Sequence, residues 1–175
     1  MSQTGDPQDL FAFKINYNTP TVATGLFNGN ISETLWITKS DNSLRKYEYS
    51  YDNLNRLLGA VYQKPNDNVN NYSYNESLNY DKNGNITDLV RYGGFETNGS
   101  YPAVLIDQLS YSYAPTSNQL QAVTDASASP QGFKDGNTRG VDYNYDANGN
   151  MNLDNNKQIQ SISYNGYANK KCSLS

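Results

Sequence analysis

Large apolar and polar side chains alternate along several short stretches of this chain, with the two-residue period of half-buried β-strands. The pattern is plainest in Arg45-Lys46-Tyr47-Glu48-Tyr49-Ser50-Tyr51, which puts Tyr47, Tyr49 and Tyr51 on one face and Lys46, Glu48 and Ser50 on the other. The first face should be aromatic and the second wet. Phe11, Phe13, Ile15 and Tyr17 alternate in the same way against Ala12, Lys14 and Asn16, so a first strand is predicted there, with an apolar face that should pack on something. Asn18-Thr19-Pro20-Thr21 ends it, because proline fixes its own φ and offers no donor to a ladder. Glu33 to Lys39 and Gln158 to Tyr164 read as further strands, and no window carries a helical period.

The punctuation between strands recurs. Tyr143-Asn144-Tyr145-Asp146-Ala147-Asn148-Gly149-Asn150-Met151 is echoed by Leu78-Asn79-Tyr80-Asp81-Lys82-Asn83-Gly84-Asn85-Ile86 and by Tyr49-Ser50-Tyr51-Asp52-Asn53-Leu54-Asn55-Arg56-Leu57. A degraded copy runs from Tyr111 through Tyr113 and Ala114 to Leu120, and Phe27-Asn28-Gly29-Asn30-Ile31 is a truncated one. From Tyr51 to Tyr80, Tyr113 and Tyr145 the steps are 29, 33 and 32 residues, a spacing that signals a repeat architecture. Aspartate at the head of a tight turn caps backbone N–H groups ahead of it, and glycine three residues later takes a left-handed conformation. Asn55 stands in for glycine in one copy, as the next best tolerated residue. The copy that lacks both aspartate and glycine should have a looser turn over 114–119.

After each turn an apolar pair recurs three residues apart: Leu57 with Ala60, Ile86 with Leu89, Leu120 with Val123. Flat alternation does not allow that spacing, so a β-bulge, or a strong local twist, is predicted in each outgoing strand. The reading is of one all-β protein made of antiparallel hairpins in a curved strip. Residues 1–26 form a lead-in with one strand, 27–165 the hairpin strip, and 166–175 a polar tail expected to fray, although Asn165-Gly166 could open a further turn.

The repeat resembles the Rhs/YD family, found in bacterial Rhs proteins, toxin-complex C components and teneurins. The match lies on Tyr49, Tyr51, Asp52, Asn55 and Arg56; on Tyr80, Asp81, Gly84 and Asn85; on Tyr143, Tyr145, Asp146, Gly149 and Asn150; and weakly on Tyr111 and Tyr113. The resemblance implies a strip of hairpins that coils, in complete members, into a shell enclosing a toxin polypeptide or supporting cell-surface adhesion. Four to five units are too few to close a shell, and the segments that end complete members are not seen. An internal fragment, a truncated product or one subunit of an assembly is therefore expected, secreted or at the cell surface as part of a longer protein. No signal peptide is visible, so the chain expressed alone is expected to be cytoplasmic.

Composition narrows the function classes. Leu, Ile, Val and Phe number 33 of 175 residues, and 16 tyrosines supply the remaining apolar area, so the core should be thin, aromatic and partly wet. The net charge of −4, with scattered basic residues, argues against nucleic acid as a partner. No apolar run is long enough to insert in a membrane as a helix. The single cysteine, Cys172, reads as a bland thiol in a polar tail.

The chain has no histidine, which removes His-based catalysis and His metal sites. Paired carboxylates could be drawn from Glu33, Glu48, Glu76 or Asp88, but nothing sets two across a cleft. Asp81 to Asp88 and Asp146 to Asn150 look like calcium loops, yet glycine comes fourth where an EF-hand has it sixth. A non-enzymatic protein without cofactor or metal is expected. Its partners are neighbouring repeats, or copies of itself joined through sheet edges, with an enclosed toxin polypeptide or surface glycans beyond them. The alternative reading is a carbohydrate- or surface-binding module, in which Tyr rings beside some of the 26 asparagines form a sugar-stacking face. Trp36 reads as core rather than ligand contact.

Overall fold

The computed structural model describes residues 9–21, 23–65, 72–94 and 103–164, and the backbone of 170–174. The residues before Asp9, parts of the connections after Pro65 and Gly94, and the Asn165-Gly166 turn signal lie outside the described residues. The strands are β1 (Phe11–Asn16), β2 (Glu33–Thr38), β3 (Arg45–Tyr51), β4 (Leu57–Gln63), β5 (Glu76–Tyr80), β6 (Ile86–Gly94), β7 (Ala103–Tyr113), β8 (Leu120–Asp125), β9 (Tyr143–Tyr145), β10 (Met151–Asp154), β11 (Ile159–Tyr164) and β12 (Lys170–Leu174). Strands β1 to β8 lie in chain order in an 8-stranded sheet that is not closed, and β12-β11-β10-β9 form a 4-stranded one. The protein is all-β, and every described pairing is antiparallel.

Two of the expected bulges, after Leu57 and Leu120, fall where the apolar spacing puts them, and a third follows Met151. Between β3 and β4, Ser50 faces Gly59 and Tyr51 faces Leu57, which leaves Leu58 extra. Between β7 and β8 the same shift leaves Gln121 extra, and between β9 and β10 it leaves Asn152. One added residue after the turn converts a spacing of three into two inward positions. Ala60 and Val123 are accordingly buried.

The chain divides into two compact units, residues 1–78 with 91–105, and 79–90 with 106–175. In the first, Leu35 and Ile37 are buried on one face of the sheet with the polar Asn16, Glu33 and Lys46. On the other face of the sheet Trp36, Tyr47, Tyr49, Tyr62 and Tyr74 form a chain of ring contacts, with centroids 5.2–6.0 Å apart. The second unit centres on Leu109, Val123 and Tyr143, against which Leu89, Tyr111, Leu120, Phe133, Tyr145 and Met151 pack.

Three expectations are corrected. Lys46 belongs to the face read as wet, yet it is 2% exposed. It lies opposite Leu35 and donates to Glu48 at 2.6 Å, and a charge can be buried when it is paired. Alternation reports which residues share a face but not which face is covered. The apolar row of β1 is the converse case: Phe11, Phe13, Ile15 and Tyr17 are 55, 50, 40 and 45% exposed, because β1 is the end strand of its sheet. The polar tail, finally, contains β12, whose backbone pairs with β11 from Tyr164↔Lys170 to Ile159↔Leu174. Pairing is a backbone property, so polar composition did not prevent it.

Candidate functional site

The repeated turn is closed by its aspartate. Oδ1 of Asp81 accepts from the N–H groups of Asn83 and Asn85, both at 2.8 Å, and Oδ2 accepts from the Asn85 side-chain amide at 2.8 Å. Asp146 repeats the set with Asn148 and Asn150, each contact 2.9 Å. Asp52 repeats it with Leu54 and Arg56, the Arg56 guanidinium taking the place of the amide at 2.6 Å. The fifth residue of the motif thus reaches back to its first. These donors hold all three carboxyls below the usual range; the leading cause is the Arg56 N–H for Asp52, and the side-chain amides of Asn85 and Asn150 for Asp81 and Asp146. Both oxygens are therefore occupied by donors, which explains the aspartate without a cation. Among the described residues no three Asp, Glu or Cys side chains gather as metal ligands would.

The left-handed position goes to Gly84 and Gly149, at φ 90° and 81°, and to Asn55 at 63°. In the degraded copy the turn widens: Ala114 N–H donates to Gln119 at 2.9 Å, and Ser117 substitutes weakly as a cap, accepting from the Gln119 N–H at 3.3 Å. The predicted loosening is a turn one residue longer.

A second device recurs from hairpin to hairpin. The tyrosine just before each turn donates its hydroxyl to the carbonyl just after the preceding turn. Tyr51 donates to Ile31 at 3.0 Å, Tyr113 to Ile86 at 2.9 Å, Tyr145 to Leu120 at 2.9 Å and Tyr164 to Met151 at 2.7 Å. Tyr80 holds the equivalent place and is also engaged. Turn side chains link laterally as well. The Asn55 side-chain oxygen accepts from Asn28 and Asn30, and that of Asn118 from Asn83 and Asn85, at 2.7–3.2 Å. The sequence-derived motif residues are thus brought together, but toward one another. Their polar atoms bind the neighbouring hairpin.

No protein-family model and no curated protein matches this chain.

The remaining tyrosines divide by depth. Tyr143 is buried and Tyr47, Tyr49 and Tyr62 are half-buried in ring contacts, whereas Tyr72 and Tyr74 are exposed. Burial drives the Tyr47 phenol from 10.0 up to about 12 and also raises Tyr51, Tyr62, Tyr113, Tyr143 and Tyr145. Between pH 10 and 12 the folded chain keeps protons that the unfolded chain has released, so this stabilisation is complete below pH 10 and is lost as pH rises through the window. Urea midpoints are expected to fall there, with Tyr47 alone contributing on the order of 1 kcal/mol after solvent screening. A midpoint unchanged across the window would count against the buried rings.

Several engaged residues carry no signal in the repeat pattern. Asp142, 1% exposed, accepts the Val123 N–H at 2.8 Å and the Asn137 amide at 3.0 Å. Asp107, also 1% exposed, accepts the Phe133 N–H at 2.6 Å. Asn75 accepts the Tyr62 N–H at 2.8 Å. Glu33 is fully buried and accepts from the Asn16 amide and the Thr21 N–H, each at 2.6 Å. Burial raises the Glu33 pKa, but these donors, with Lys46 nearby, outweigh it and leave the group below its usual value. The one hint for Asn75 and Asp142 is position, since each is a short polar residue just before an incoming strand.

Proposed function

We propose that this chain is a non-enzymatic stretch of Rhs/YD-type wall, whose role is to build or complete a β-strip that encloses or presents another polypeptide in a toxin-delivery or cell-surface setting. The observation that carries the reading is the tyrosine latch, repeated at Tyr51, Tyr113, Tyr145 and Tyr164. A hydroxyl satisfied only by the preceding hairpin makes each unit depend on its neighbour, which is how repeat walls hold together. The motif's chemistry is spent on construction.

Tyr113→Phe and Tyr145→Phe should each cost about 1 kcal/mol, the worth of one hydrogen bond, with faster amide exchange confined to the hairpins on either side. Neutral substitutions would remove the basis of the reading. The enclosing role is tested by protease protection: a polypeptide encoded beside this chain should resist digestion when co-expressed with it, and the role fails if no flanking product gains protection.

The glycan-binding alternative has one feature in its favour, a groove of about 630 Å³ beside the 52–56 turn, lined by Tyr49, Tyr51, Asp52 and Asn55 among others. Within it the Tyr51 hydroxyl is already bonded to Ile31 and that of Tyr49 to Thr34. The wall reading is therefore favoured.

A further inference from the structure

Each junction between hairpins joins the outgoing strand of one to the incoming strand of the next. β2 pairs with β3, β4 with β5 and β10 with β11. β8 is tied to β9 through Asp142, whose N–H donates to Gln121 and whose carboxylate takes the Val123 N–H. Among the described residues two strands remain outside such a junction: β1, an incoming strand ending one sheet, and β12, an outgoing strand ending the other.

β1 has everything an incoming strand presents at a filled junction except the partner. Its apolar row is 40–55% exposed, whereas the equivalent Tyr47, Tyr49 and Tyr51 of β3, with β2 alongside, are half-buried. Tyr17 occupies the latch position, since it follows Asn16, which faces Glu33 two residues after Ile31, just as Tyr51 follows Ser50, which faces Gly59 two residues after Leu57, and its hydroxyl has no hydrogen-bond partner among the described residues. β12 supplies the missing half. Lys170 lies opposite Tyr164 as Leu57 does opposite Tyr51 and Met151 opposite Tyr145, so its carbonyl is the one a following latch would take.

Resting on the wall reading above, we infer that β1 is the docking edge for β12 of a second copy of this chain, with the Tyr17 hydroxyl donating to the Lys170 carbonyl. The register follows from filled junctions. Glu48, three residues before Tyr51, faces Glu33, two after Ile31, and Ser77, three before Tyr80, faces Gly59, two after Leu57. Glu33 and Gly59 are themselves the partners of Asn16 and Ser50, and the residue of β12 in that place is Lys171, which pairs with Ser163 without a bulge, so Lys14 is set opposite Lys171 of the second copy. The contact joins unlike surfaces, so one pairing leaves further edges free and assembly continues beyond a dimer unless the rotation closes a ring.

Sedimentation velocity over about three decades of concentration should show growing oligomers, with Phe13→Lys weakening association about tenfold and Tyr17→Phe about fivefold. Both positions are exposed, and circular dichroism will confirm that the variants fold. Mixing a Lys14→Cys, Cys172→Ser chain with a Lys171→Cys, Cys172→Ser chain under mild oxidation should yield the mixed 14–171 disulfide, since paired antiparallel residues lie within disulfide reach. Monomers at every concentration, association indifferent to Phe13→Lys, or cross-linking only between two copies of the Lys14→Cys chain would overturn the inference. If it fails while Tyr145→Phe still destabilises, the wall reading stands; if the interior latch substitutions are neutral, the wall reading itself has failed.

Discussion

Asp142→Ala is expected to destabilise the second unit by roughly 3–5 kcal/mol, because it removes two charge-assisted hydrogen bonds and strands a buried donor. Oδ2 of Asp142 accepts from the Val123 N–H and Oδ1 from the Asn137 amide, while its own N–H and carbonyl bond to Gln121 and Asn155. Val123 is 3% exposed and belongs to the Leu109–Tyr143 core, so water cannot replace the lost acceptor without entering that core. Asp142→Asn is the informative partner. Its amide keeps one acceptor oxygen but aims a donor at a donor, so about half the loss should return. Equilibrium urea unfolding measures both, and amide exchange at Val123 localises the effect. A loss below about 1 kcal/mol for the alanine variant would mean that the carboxylate does not close the β8–β9 junction.

Asp142 also marks where the sequence stopped being readable. Period-two alternation in Arg45–Tyr51 and the Asp-x-x-Gly turns are local, so the hairpins, the left-handed Asn55 and the bulges after Leu57 and Leu120 could all be anticipated. Those features depend on residues within one turn of each other. Asp142 with Val123, Asp107 with Phe133, and Glu33 with Asn16 are 19, 26 and 17 residues apart. No periodicity announces which polar residue will replace a ladder carbonyl across such a distance.

The tyrosine latch falls between these cases. The repeat puts a tyrosine before each turn, and cross-strand stacking is the ordinary role of aromatic rows at matching strand positions. Stacking does occur, in the Trp36–Tyr47–Tyr49 row. The tyrosine nearest the turn instead uses its hydroxyl, which reaches past the sheet pairing to a carbonyl left over where the previous bulge begins. Seeing that required knowing which hairpins were neighbours.

Gly132→Ala should have an effect at least as large, roughly 4 kcal/mol or more, for a reason unrelated to turn conformation. A Cβ on Gly132 would lie 1.8 Å from the Ile106 carbonyl oxygen and 2.4 Å from Oδ1 of Asp107. The first of these is backbone in the middle of β7 and cannot swing aside. Relieving the overlap means lifting the 126–133 loop off the strand. That breaks the 2.6 Å bond from the Phe133 N–H to Asp107 and the 3.0 Å bond from the Ser127 hydroxyl to Ile106, and it withdraws the Phe133 ring from the Leu109–Val123–Tyr143 core. Gly149→Ala separates this cause from glycine's conformational freedom. It sits at φ 81° with nothing within 4 Å of the added methyl, so only left-handed strain applies, about 1–2 kcal/mol. The two substitutions are therefore expected to differ by a factor of two or more in urea unfolding, and only Gly132→Ala should speed amide exchange along β7 and β8. Equal losses would show that the loop yields easily and that Asp107, rather than the close backbone approach, holds it in place.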